Sequence, residues 1–215
     1  MTIRGQVVTA RGGPPQVAPP SIRLILENPD DLEGRLTAGA GLDRDWRFTF
    51  GHVFAPAVVR VETVRGTTWR MWIQAVRYRG RDVTDVPTLF EPAPSEYDIQ
   101  VVVTDRPARL SGAVHDAAGQ PASQAVVTLF PADPGQWTAW WKGYTLRTRR
   151  MIAGQTGGYV LADLAPGEYL VVATSATTSW LDPPPLSALA PQATRVTLAE
   201  GERRTLDLTV AEIRE

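Results

Sequence analysis

Residues 158–173 read Gly158-Tyr159-Val160-Leu161-Ala162-Asp163-Leu164-Ala165-Pro166-Gly167-Glu168-Tyr169-Leu170-Val171-Val172-Ala173. The stretch has three parts. Tyr159-Val160-Leu161 is an aromatic strand. Ala165-Pro166-Gly167 is a tight turn, because proline presets φ at the first turn position and glycine allows φ > 0 at the next. Tyr169 to Ala173 is an unbroken apolar run, which suits a central strand covered on both faces. Together they predict a hairpin that supplies a large share of a β core.

Working outward, the same pattern occurs twice. Ile3-Arg4-Gly5-Gln6-Val7-Val8 lines up with Leu110-Ser111-Gly112-Ala113-Val114-His115, and Gly12-Gly13-Pro14 falls on Gly119-Gln120-Pro121 at the same offset. Ile99, Val101 and Val103 fall on Leu206, Leu208 and Val210, again at that offset. Phe48-Thr49-Phe50 matches Tyr159-Val160-Leu161, and Ala55-Pro56 matches Ala165-Pro166 with a one-residue slip. A repeat of this length sets the architecture. Alternation of period two in 98–103 and 205–210 places one set of side chains inside and the other in solvent. Turns at 118–121, 156–158, 165–167 and 200–202 punctuate short strands. The expected fold class is all-β, two tandem β-sandwich domains over residues 1–106 and 107–215. Asp105-Arg106-Pro107 between them is too short for a flexible linker. One helical turn is expected at Leu186–Ala190, between Pro183-Pro184-Pro185 and Pro191, with Leu186 and Leu189 on one face.

Composition limits the function classes. The 215 residues are 43% hydrophobic and 21% charged, with a net charge of −1. Such a chain is globular and exerts no long-range pull on nucleic acid or an anionic membrane. It contains no cysteine, so disulfide and thiolate chemistry are excluded. Lys142 is its one lysine. The first ten residues lack the basic and apolar regions of a signal peptide. No apolar run approaches the ~20 residues of a membrane span. The expectation is a chain that is either intracellular or a piece of a longer exported protein.

Residues 158–173 resemble the core signature of carboxypeptidase regulatory-like domains, which are transthyretin-like (prealbumin-like) sandwiches of immunoglobulin-like type. Leu110-Ser111-Gly112-Ala113-Val114 with Gly119-Gln120-Pro121 matches the first hairpin of that family. The resemblance covers about 108–210. The first half departs from it at Ala55-Pro56-Ala57, where the family turn has glycine. The resemblance implies an accessory module of peptidases, surface proteins or outer-membrane receptors. It implies an extracytoplasmic location and a non-catalytic role. No acid–base or nucleophile constellation stands in the sequence, and no cofactor is expected. It also implies kinship with carbohydrate-binding-like folds, an analogy of fold and not of ligand.

The residues that could do chemistry are few. His52 and His115 have no cysteine and no nearby histidine, so zinc lacks a ligand set. Asp30-Asp31, Asp43/Asp45 and Asp82/Asp85 lack the oxygen count and spacing of a calcium loop, and are expected to cap turns. Ser111 and Ser123 have no base and no nucleophile elbow. Tyr78-Arg79-Gly80-Arg81 resembles the Tyr-Arg-Gly-Ser tail of hydroxyisourate hydrolases, but it lies mid-chain and is expected to be a hairpin turn. In the strand beginning at Trp69, strict alternation puts Trp69, Met71 and Ile73 on one face and Trp72, Gln74 and Val76 on the other. The candidate ligand-binding residues are Trp137, Trp140, Trp141 and Tyr144, an aromatic insert. They would form a platform for a sugar ring or a protein partner, or else fold back to cap the open end of the sandwich or fill the groove between the domains. Arg147, Arg149 and Arg150 beside it suit an edge strand that discourages aggregation. The expected partner is a neighbouring domain or protein; carbohydrate is the alternative.

Overall fold

The computed structural model describes residues 2–17, 22–27, 38–51, 56–63, 71–91, 98–137, 145–175 and 184–212. The chain divides into two compact units, 1–105 and 106–215.

In the first unit β1 (Ile3–Thr9) lies between antiparallel β4 (Arg47–Phe50) and parallel β8 (Ile99–Thr104). Antiparallel β6 (Trp72–Tyr78) flanks β8 on its other side and turns into β7 (Arg81–Asp82). A separate layer has β2 (Ile22–Glu27) between β3 (Ala38–Gly41) and β5 (Val58–Thr63), both antiparallel to it. Ile3, Val7, Phe48, Phe50, Ile99, Val101 and Val103 are buried, as the alternation requires.

The second unit carries the same parts. β9 (Ala108–His115) lies between antiparallel β12 (Gly158–Leu164) and parallel β15 (Arg203–Thr205), which resumes as β16 (Leu208–Ala211). β10 (Val126–Pro131) lies between antiparallel β11 (Arg149–Ile152) and β13 (Gly167–Thr174). The parallel pairs have the same spacing in both units: Gly5 faces Ile99, and Arg109 faces Arg203. The first turns also correspond. The Thr9 amide donates to the Gly13 carbonyl and that of Gly12 to Thr9, as Asp116 does to Gln120 and Gly119 to Asp116. Gly12 and Gly119 have φ of 83° and 77°, which glycine alone adopts without strain.

One strand differs. In the first unit β6 adds to β8, whereas β14 (Thr194–Leu198) of the second unit adds to β13. Among the described residues, β15 therefore has β9 on one side and no strand on the other.

Residues 158–173 are not a hairpin. β12 pairs with β9, and β13 pairs with β10, β14 and β16, so Ala165 and Pro166 carry the chain between two paired layers. Gly167 has φ 157°. The Tyr169 hydroxyl donates to the Ala165 carbonyl (2.8 Å) and ties off the arch. Tyr159, Leu161 and Leu164 meet Tyr169, Val171 and Ala173 in one core cluster. The other face of β13, Leu170 and Val172, packs with Phe130 against Leu186 and Leu189 of α1 (Leu186–Leu189). Both faces of β13 are thus covered, and the predicted helical turn supplies the second cover.

A second difference lies in β6. A bulge between Ile73 and Ala75 resets its alternation. Val76 then pairs with Val101 and Ile73 with Val103, so these two share a face, while Ala75 joins Val8 and Val102 on the other. Strict alternation had put Val76 with Trp72. Trp69 lies outside the described residues.

Candidate functional site

The aromatic insert starts where β10 ends. Asp133 accepts the Gly135 amide (2.9 Å) and caps a short 3-10 turn, Pro134–Gln136. That turn delivers Trp137 back onto β10. The Trp137 Nε1–H donates to the Pro131 carbonyl (2.8 Å), and the indole packs edge-on against Phe130 with centroids 5.6 Å apart. Trp137 thus packs against the cluster under α1. Trp140, Trp141 and Tyr144 lie outside the described residues.

The return of the insert is tied to its start. Arg147 Nη1 donates to Gln136 Oε1 (2.7 Å), and Arg149 Nη1 to the Thr145 carbonyl (2.6 Å). Arg149 and Arg150 lie on β11, at one end of its sheet, as expected of an edge strand. They are half-buried, however, and burial holds the Arg150 guanidinium below its usual pKa.

The other candidates serve the backbone. Asp43 Oδ1 accepts the amides of Asp45 and Arg47, at 2.9 and 2.8 Å. Asp82 Oδ1 accepts the Thr84 amide and hydroxyl, at 3.0 and 2.6 Å. Asp116 Oδ1 accepts the amides of Ala118 and Gln120, at 2.9 and 2.8 Å. Tyr78 to Arg81 form a two-residue hairpin turn, with Arg79 and Gly80 at φ 49° and 79°, and the Arg79 guanidinium stacks over the Tyr78 ring. His115 is half-buried at the end of β9, opposite Thr209. Ser123 is exposed in a turn, and Ser111 lies on β9 opposite Val160. His52, Asp30 and Asp31 lie outside the described residues. Among the described residues, no group of three acidic or histidine side chains could hold a metal, and no helix is long and apolar enough to cross a membrane.

Two arrangements escaped the sequence reading. Arg60 Nη1 and Asp85 Oδ1 form a 3.1 Å ion pair with side chains only 13% and 3% exposed. Their sequence neighbours carry no signal, because the pair is made by folding. The Tyr159 hydroxyl donates to the Leu206 carbonyl (2.6 Å), and Asp207 Oδ1 accepts the Ala113 amide (2.9 Å). Burial, and behind it the charge of Asp207, raises the Tyr159 phenol above its usual pKa. A tyrosine alternating with Leu161 on one face of β12 was the available signal.

No family model matches the sequence, and no curated protein matches it. Among solved structures, the chain is similar to a streptococcal ancillary pilin at 12% identity, over 98% of this chain and 62% of that one, with TM-score 0.40. It is similar to the minor pilin GBS52 of Streptococcus agalactiae at 10% identity, over 97% and 94%, with TM-score 0.37. It is similar to the shaft pilin spaA of Lactobacillus rhamnosus GG at 11% identity, over 100% and 98%, with TM-score 0.31. The chain thus spans less than two thirds of the ancillary pilin, and TM-scores of 0.40 and below transfer neither topology nor assembly to it.

Proposed function

We propose that the chain is a non-catalytic structural or interaction module, built from two copies of one transthyretin-like sandwich. It serves as a spacer or as a surface for a neighbouring domain or protein partner, within an exported protein. The observation that carries this reading is where its polar side chains go. Asp43, Asp82, Asp116, Asp133 and Asp207 each hold backbone amides, and Tyr159 and Tyr169 each hold a carbonyl. Four of these carboxylates close their own turns and Asp207 ties Ala113 of β9 to the strand beside it, so each already has a structural task. The matched turns and parallel pairs support the two copies. Export rests on the resemblance of 108–210 to carboxypeptidase regulatory-like domains.

The test is turnover of chromogenic ester, phosphoester and glycoside substrates. None above buffer is expected; turnover abolished by Asp116→Asn or Asp207→Asn would sink the reading. A sugar platform would rest on Trp140, Trp141 and Tyr144, because Trp137 is engaged with Phe130 and Pro131. Glycan-array binding that Trp140→Ala abolishes would promote that alternative.

A further inference from the structure

The exposed arginines of the second unit fall into two groups. Arg106 pairs with Glu200, Arg195 with Glu168 and Arg204 with Glu202. Arg109 and Arg203 do otherwise. They face each other directly across the parallel β9–β15 pair, both exposed, and neither side chain makes a hydrogen bond or ion pair with a described residue. Like charges in direct register repel. Two residues further along the same strands, Ser111 faces Thr205. Leu110, between Arg109 and Ser111, is fully buried, so the arginine and the serine share the outward face. The hydroxyls of Ser111 and Thr205 likewise bond to no described residue. The result is a square of four donor side chains with two positive charges at one end, on a face whose β15 side carries no further strand among the described residues.

From this arrangement we infer that the outward face of β9 and β15 docks an extended acidic segment of a protein partner. Charge complementarity selects the occupant. Two adjacent guanidinium forks suit a carboxylate, which each can hold in bidentate fashion. The second row lies about 6.6 Å along the strands, two residues at a parallel-strand rise. An extended polypeptide repeats its own side chains at that same interval, so a glutamate over Arg109 and Arg203 brings its i+2 side chain over Ser111 and Thr205. Binding would also relieve the repulsion that the two arginines bear alone. The inference rests on the reading of the chain as an interaction module and names the chemistry of its partner.

The experiment is fluorescence anisotropy of the full chain with a labelled peptide of alternating glutamate and threonine, at low salt. Saturable binding is expected, weakened at least tenfold by Arg109→Ala or Arg203→Ala and unchanged by Arg195→Ala, whose guanidinium already serves Glu168. A peptide with glutamine replacing glutamate should not bind. Arg203→Glu supplies the folding control: it should abolish binding while raising Tm, because it converts the repulsive pair into an attractive one. No saturable binding, equal losses in Arg195→Ala, or capture of polyphosphate in place of the peptide would overturn the inference. The module reading fails separately, through turnover.

Discussion

Tyr159 and Asp85 show how single polar groups hold these cores. The Tyr159 ring is 2% exposed and its hydroxyl is bonded to Leu206, so its neutral form belongs to the folded state. Its pKa is raised on folding. The stability it contributes is therefore complete below the unfolded phenol value of about 10 and is lost as pH climbs from there. Tyr159→Phe should lower stability by about 1 kcal/mol at neutral pH and flatten the loss above pH 10. Urea titrations at pH 7 and 10.5 check both, and an unchanged alkaline slope would refute the assignment. Asp85 is a sharper case. Removing one partner of a buried ion pair costs about 3–5 kcal/mol, whereas replacing both by apolar groups is often neutral. Asp85→Ala should reach at least that range, because Asp85 also holds φ 63°, a backbone conformation that alanine adopts less readily, and adding Arg60→Met should recover part of the loss. Gly5 and Gly112 are a third case, shared by both units. A Cβ on Gly112 would strike the Leu206 carbonyl; one on Gly5 would strike the Phe48 ring and lie 2.7 Å from the Ile99 carbonyl. Gly5→Ala and Gly112→Ala should each destabilise by more than 1 kcal/mol, with backbone shifts in the strand opposite. A neutral result at either position would undo the equivalence of the two strands.

At the scale of elements, β13 and its cover explain what sequence could and could not tell. The apolar run 169–173 announced a strand buried on both faces, and the prolines around 186–190 announced the turn of helix that covers one of them. Leu189 is 1% exposed in that cover. Leu189→Ala should cost about 2–5 kcal/mol and loosen Trp137, read as a red shift of its fluorescence. Pairing partners were less legible. Ala165-Pro166-Gly167 has the residues of a hairpin turn, and the same residues serve an arch equally well. Whether the flanking strands pair or stack depends on what Tyr159 and Tyr169 pack against, which no local pattern encodes. The bulge in β6 was hidden likewise, because one extra residue shifts every later side chain without altering composition. Of the candidate platform, the sequence named the tryptophans, but the indole bond of Trp137 to Pro131 depends on the turn capped by Asp133.

At the scale of the whole molecule, the near-zero net charge conceals local sorting: among the described residues, three exposed arginines of the second unit sit on glutamates and two do not. The two compact units also make a thermodynamic prediction. Calorimetry should resolve two transitions, one lowered by Asp85→Ala and the other by Leu189→Ala. A single transition moved equally by both substitutions would contradict independent unfolding.

The change of neighbour between β6 and β14 has a consequence for chimeras of the two halves. Recombination between the halves should succeed for crossovers within the opening strand and its turn, where the pairing pattern and the turn hydrogen bonds match. It should fail for crossovers after β5 or β13, because the transplanted strand would then cover a different edge and leave bare the edge that its own half covers. A library of hybrids between the two halves would show a sharp limit to interchangeability at that point in the chain.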